Sequence, residues 1–257
     1  MTMLRIVSFV ASCAGEKSQT KKISDILAEK MIRKASEEGE KISYECITGD
    51  QIRIDYCRSC ASCFKHGVCP LDQKDDMAML KNKFLEADII FFCTPVYMWE
   101  MSGLCKTVID RIAYWSHRFE LAGKAGIILA STDSSKAPDF EDRFIKLIQF
   151  YGMAVTDAIT MNNYGYPSLY NQEDTDSVLG AAADRLLAAA KDPAAFITKT
   201  QEDMWRSRTY LARRMNRFNE LIGVKPPDEV AVYIERGIEK CSSFQDYVRK
   251  CHLSSDQ

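Results

Sequence analysis

Four cysteines stand within fourteen positions in "CRSCASCFKHGVCP", Cys57 to Pro70. Thiols at that density could ligate an iron–sulfur cluster, hold zinc, form a disulfide knot, or serve as small hydrophobes. Cys57, Cys60 and Cys63 follow one another with two residues between them, a spacing that can wrap three corners of a cubane, and Cys69 could complete the set. Zinc sites usually want two separated pairs, and this run has no second pair, although His66 lies inside it. Three other stretches carry groups that could meet a ligand. "SCAGEKSQT" offers the hydroxyls of Ser12, Ser18 and Thr20 ahead of a helix, whose free amides and dipole suit a phosphate; ordinary helix capping is the alternative for the same residues. "TPVYMWEMSG" follows a strand, and its Pro95, Tyr97, Met98 and Trp99 make a stiff, polarizable surface for a planar heterocycle, unless Tyr97 and Trp99 pack under later helices. "STDSS", Ser131 to Ser135, is short and polar.

Alternating strands and helices must position these loops. Apolar runs at Leu4–Val10, Ile42–Ile47, Asp88–Tyr97, Ala125–Ser131 and Ala154–Thr160 predict five strands, several hydrophobic enough to be buried on both faces. Between them, periodic segments predict helices: one carrying Ile23, Ile26, Leu27 and Met31, and others over 75–86, about 103–115, and along Phe140, Phe144, Ile148 and Tyr151. That alternation implies a parallel, doubly wound α/β sheet with its ligand outside the carboxyl ends of the strands. Beyond about residue 162 the chain is turn-rich and then helical, with helices predicted over 176–191, 199–222, 228–240 and 244–251. The expected organisation is a sheet domain over 1–162 and a helical extension over 163–257. Of the 257 residues, 46% are hydrophobic and 27% charged, and the formal charge is −2, so no basic face for nucleic acid is implied. No eighteen apolar residues run together and no basic leader opens the chain, so neither a membrane span nor secretion is expected. In the cytoplasm so inferred, the ten cysteines read as thiols or metal ligands instead of disulfides. Cys13, Cys46, Cys93, Cys105, Cys241 and Cys251 lack ligand spacing and read as small buried residues or plain thiols.

The stretch "EADIIFFCTPVYMWEMSGLCKTVIDR", Glu86 to Arg111, resembles the signature of the NAD(P)H-dependent FMN reductase family of flavodoxin-like proteins. Thr94, Pro95, Val96, Tyr97, Met101, Ser102, Gly103, Lys106, Asp110 and Arg111 carry the match. Within that family, the iron–sulfur flavoproteins have a compact cysteine motif just before an Asp-Asp pair. Cys57, Cys60, Cys63 and Cys69, followed by Asp75 and Asp76, are similar to it. The resemblance implies FMN with its phosphate at Ser12, Ser18 and Thr20. It implies an isoalloxazine along Pro95, Val96, Tyr97, Met98 and Trp99, with Thr94 also binding the cofactor, and the loop Ser131 to Ser135, with Ser131, Thr132 and Asp133 as its binding residues, closing the far side. It also implies a four-iron four-sulfur (4Fe-4S) cluster as a second redox centre; the Cys69-Pro70 pair ends the run as in bacterial ferredoxins.

On this reading the chain is an FMN-dependent oxidoreductase or electron-transfer flavoprotein with a 4Fe-4S cluster, in which no side chain acts as general acid or base. Its partners would be a small-molecule or protein redox partner, with NAD(P)H or a low-potential carrier as donor and no nucleic acid or membrane. The family's habit implies a homodimer or homotetramer. Two rivals remain: a cluster-free NAD(P)H-dependent reductase of flavins or quinones, and a non-catalytic flavin- or metal-binding module that recruits a partner protein through its helical tail.

Overall fold

Five apolar runs form parallel strands because helices cover both of their faces. The computed structural model describes residues 3–133, 139–162, 172–226 and 228–255. The strands are β1 (Leu4–Val10), β2 (Ile42–Thr48), β3 (Ile89–Tyr97), β4 (Glu100–Met101), β5 (Ala125–Thr132) and β6 (Ala154–Asn162). All except β4 run parallel, in the order β2-β1-β3-β5-β6, and β4 adds a sixth, antiparallel strand of two residues to β3. This is the flavodoxin-like order, in which the connections reverse direction at β1 and β3 and leave a crevice beyond their carboxyl ends.

The helices are α1 (Gln19–Glu37), α2 (Ser62–His66), α3 (Met77–Glu86), α4 (Gly103–Arg111), α5 (Phe140–Gln149), α6 (Gln172–Lys191), α7 (Lys199–Ile222), α8 (Asp228–Glu235) and α9 (Phe244–Ser255). On one face, Phe84, Val108, Phe144 and Ile148 of α3, α4 and α5 pack on Phe9, Phe92 and Ile128. On the other, Ile23, Leu27 and Met31 of α1 share a core with Leu179, Ala183 and Leu186 of α6 over Ile6, Phe91 and Ile127. The first helix after residue 163 is thus a sheet-covering helix, tied to α1 by the Lys30–Asp176 pair at 2.8 Å and by Lys34–Asp184. A third cluster joins α7, α8 and α9 to the connection after α4 through Phe119, Trp205, Tyr233, Phe244 and Tyr247.

Several boundaries differ from the sequence expectation. The helix read to Trp115 ends as α-helix at Arg111 and continues as a 3-10 turn over Ala113–His117. The helix read over 228–240 breaks at Gly237, whose φ of +62° a side-chain-bearing residue adopts with strain. Among the described residues no helix is long and apolar enough to cross a membrane.

Candidate functional site

The β1–α1 connection, the β3–β4 turn and the end of β5 meet around a cavity of about 460 Å³. From the first connection come Ser12, Ser18 and Thr20, all buried. Ser18 caps α1: its Oγ accepts the Lys21 N–H at 3.2 Å, which leaves other first-turn amides without a helical partner. The Thr20 and Ser131 hydroxyls lie 2.6 Å apart and link the first connection to β5. Lys17 and Gln19 also line the cavity, two residues that no pattern in the sequence singles out. The Gln19 side-chain oxygen is buried with no hydrogen-bond partner, an unmet polar group in a wall whose remaining groups are hydroxyls and one lysine.

The β3–β4 turn supplies the apolar wall. Val96 pairs with Met101 and Tyr97 with Glu100, so Met98 and Trp99 are the two residues of a tight hairpin. Their φ angles are +47° and +68°. Positive φ at both positions is the type I′ pattern, which favours Asn-Gly, and large side chains there cost about 1–2 kcal/mol each. Such strain is characteristic of functional sites. What the turn achieves is exposure: Tyr97, Met98 and Trp99 are 61%, 95% and 63% accessible beside a pocket, so Tyr97 and Trp99 do not pack under the later helices. Pro95, Val96, Tyr97 and Met98 line the cavity, as do Ser131, Thr132 and Asp133 opposite. Thr94 lies behind the wall, where its Oγ1 accepts the Ser102 N–H at 3.0 Å and joins the strand end to the start of α4. Trp99 stands at the turn's tip, outside the lining. Ser134 and Ser135 of the third loop lie outside the described residues.

The cysteine segment leaves the carboxyl end of β2 and is clamped at its base. Asp75 accepts the N–H groups of Asp55 at 3.0 Å and Met77 at 3.1 Å, while Asp76 accepts that of Arg53 at 2.7 Å. These two acidic residues, which the sequence presents as the opening of a helix, therefore also close the loop across about twenty residues. Arg111 completes the clamp from α4, donating to the Asp55 carbonyl at 2.8 Å and to the carboxylates of Asp72 and Asp75. Within the loop, Ser59 and Ala61 have positive φ, so the chain turns sharply between successive cysteines. Cys57 and Cys60 are exposed, Cys63 is half-buried and Cys69 buried, and all ten cysteines are free thiols. Burial, and then the proximity of Cys69, push the Cys63 thiol up, with a smaller effect from Cys57. Among the described residues no three His, Cys, Asp or Glu side chains converge as a single metal ion requires. The loop's fit to a cluster rests on its donors, four unpaired thiols on one clamped segment, each able to take one corner of a cubane. His66 is exposed and lies 3.8 Å from Asp228 of α8.

Comparison with known proteins is consistent with this geometry. Residues 4–165 match the family described as NADPH-dependent FMN reductase. The chain is similar to an iron–sulfur flavoprotein of Archaeoglobus fulgidus, 36% identical over 101 residues that cover 38% of this chain and 45% of the relative. An iron–sulfur flavoprotein of Methanocaldococcus jannaschii is 31% identical over 101 residues, 39% of this chain and 50% of that one. The chain thus spans about half the length of the relatives it matches. Among solved structures, an oxidoreductase from Corynebacterium diphtheriae has the same fold, with a TM-score of 0.57 at 17% identity, covering 73% of this chain and 97% of that chain.

Proposed function

The chain belongs to the NADPH-dependent FMN reductase family, and from that premise we propose that it is a flavin-dependent oxidoreductase holding one FMN in the β1–β3–β5 cavity and one 4Fe-4S cluster on Cys57, Cys60, Cys63 and Cys69. The observation that carries the flavin reading is the strained Met98-Trp99 turn, which holds an apolar wall open beside a buried hydroxyl cradle at a helix N-terminus. FMN, when bound, exchanges hydride with a nicotinamide or single electrons with a carrier, and a thiolate-bound cluster carries single electrons.

The protein's own groups do the holding. The α1 amides with Ser12, Ser18 and Thr20 receive the phosphate, Lys17 adds a positive charge, and Gln19 lines the same wall. Tyr97 and Met98 offer the face against which the flavin ring lies, with Trp99 extending it at the turn's tip, Thr94 bracing the turn from behind and Pro95 and Val96 forming its stem. Ser131, Thr132 and Asp133 close the opposite side. Residues 1–162 form the FMN-binding unit in this proposal, and 163–257 supply both α6, which covers its sheet, and the helices that buttress the cysteine loop. Ten free thiols accord with a reducing compartment, the cytoplasm. The redox partner is a small molecule or a carrier protein, and a homodimer or homotetramer is the proposed assembly.

Anaerobic purification followed by absorbance, flavin and iron analysis tests this directly. About one FMN, four irons and four labile sulfides per chain are expected. Cys57→Ala, Cys60→Ala, Cys63→Ala and Cys69→Ala should each lose the iron, while Cys93→Ala and Cys241→Ala keep it. Zinc in place of iron, or four titratable thiols beside bound flavin, would replace this reading with the cluster-free reductase. Failure to bind FMN at all would remove both.

A further inference from the structure

Three cations stand behind the cysteine loop, and two of them are already neutralised. Arg111 is paired with Asp72 and Asp75. Lys81, whose Nζ lies 5.1 Å from the centre of the Tyr114 ring, is paired with Asp72 at 2.6 Å. The third is Arg118, half-buried, with its guanidinium 5.4 Å from the centre of that same ring. Among the described residues no carboxylate pairs with it.

Its position is built, not incidental. The Arg118 N–H donates to the Trp115 carbonyl at 3.1 Å, and its own carbonyl accepts from Arg236 of the C-terminal helices at 3.2 Å. Arg236 is held in turn by Glu120 at 2.7 Å. The guanidinium lies against the backbone of Gly67, where a Cβ would stand 2.5 Å from Nη2, 2.7 Å from Nη1 and 2.9 Å from Cζ. Gly67 sits between Cys63 and Cys69, has a φ of +72°, and donates its N–H to the Cys63 carbonyl at 2.9 Å. A residue without a side chain at this point is what lets the charge approach the loop.

We propose that Arg118 is the counter-cation of the iron–sulfur cluster and raises its reduction potential. The inference rests on the assignment of Cys57, Cys60, Cys63 and Cys69 as cluster ligands. A cubane on four thiolates is a net anion that gains one more negative charge on reduction, and net charge is among the determinants of its potential. A half-buried positive charge with no carboxylate of its own stabilises the reduced state more than the oxidised one, and it is screened by salt less than an exposed charge would be. The C-terminal helices acquire a role from this: through Arg236 they hold the backbone that aims Arg118 at Gly67.

The test uses the full chain, reconstituted anaerobically with iron and sulfide, as wild type, Arg118→Gln and Arg118→Lys. Iron and sulfide are assayed, and the cluster potential is measured by redox titration followed by electron paramagnetic resonance. Arg118→Gln should keep its iron and lower the cluster's affinity for the electron about tenfold, about 59 mV for a one-electron couple. Arg118→Lys, which keeps the charge, should recover most of the shift. Iron lost in Arg118→Gln but kept in Arg118→Lys would equally support a counter-cation. An unmoved potential at full iron content, or iron lost in both variants, would overturn the role while leaving the cluster in place. Wild-type protein without iron would overturn the cluster and this proposal together.

Discussion

Arg111 and Asp75 form an ion pair with no solvent exposure on either side chain, joining α4 to the base of the cysteine loop thirty-six positions away. Such a pair is weak grounds for net stability, but removing one partner strands the other charge in the interior, at about 3–5 kcal/mol. Arg111→Met should therefore destabilise the chain by about that much, since it leaves the buried Asp75 without its cation and Asp72 with Lys81 alone. Asp75→Asn should cost less, because Arg111 retains Asp72. Urea denaturation of the two variants gives the order; equal and small losses would mean that the clamp does not hold the loop.

The same pair makes the fold acid-sensitive. Burial works to raise the Asp75 carboxyl, but the hydrogen bonds from Arg111 and from the Asp55 and Met77 N–H groups outweigh it and hold the group below the usual carboxylate range. A carboxyl depressed in the fold contributes stability above its unfolded value of about 3.9, and that contribution disappears as the pH falls through the lower folded value. Wild type should thus lose stability below about pH 4 in part through Asp75. Asp75→Asn should show a shallower acid limb in the same window, and an unchanged limb would remove Asp75 from the cause.

Met98 offers a separation of stability from binding. Its side chain is 95% exposed, so Met98→Gly deletes almost no packing, and it relieves a positive-φ position. Stability of the flavin-free chain should rise by about 1 kcal/mol. FMN affinity should fall by about fivefold, about 1 kcal/mol, because part of the apolar wall is gone. Denaturation and a flavin fluorescence titration measure the two effects, and a variant that gains stability with unaltered FMN affinity would show that the strained turn does not serve the flavin.

How much of this was legible in the sequence depended on range. Buried parallel strands advertise themselves as unbroken apolar runs, and β3 and β5 were plain for that reason. The bounds of α7 were equally plain, with the Thr198–Gln201 capping box at one end and Gly223 at the other. The hydroxyls of Ser12, Ser18 and Thr20 were found because capping and phosphate binding use the same residue types, whereas Lys17 and Gln19, in the same connection, carried no pattern of their own. The Met98-Trp99 hairpin was hidden because its residues contradict the preference of the turn they form. Arg111 belonged to a quoted motif, yet its partners Asp72 and Asp75 are distant in sequence and only the fold joins them. Arg118 had no motif at all; its meaning comes from Gly67, half a domain away.

The placement of α6 on the sheet gives a direct test of where the folding unit ends. Leu186 is fully buried in the core that α1 and α6 form over β1, β3 and β5. Leu186→Ala should cost about 2–5 kcal/mol, as for other leucines removed from a close-packed core. A chain ending at Asn162 should fail to fold cooperatively, because it uncovers Phe91 and Ile127 on that face. A cooperative transition in the shortened chain would return the boundary to residue 162.

Lys124 should reveal itself on the alkaline side. Its Nζ donates to the carbonyls of Leu85 and Ala87 at 2.6 Å, at the end of α3, and burial draws the ammonium down to about 8, with Asp88 working in the opposite direction. An unfolded lysine titrates near 10.4. Between about pH 8 and 10.4 the unfolded chain therefore keeps a proton that the folded chain has shed, and linkage makes this group's contribution to stability rise with pH across that window. Buried thiols and phenols that are raised in the fold, such as Cys93 and Tyr151, push the other way at higher pH, so the informative quantity is the difference between wild type and Lys124→Met. That difference should change by up to about 1.4 kcal/mol per pH unit, the slope for one proton, with wild type gaining on the variant as the pH rises from 8 to 9.5. Parallel pH profiles for the two proteins would show that Lys124 keeps its proton in the fold, its two carbonyl bonds outweighing its burial.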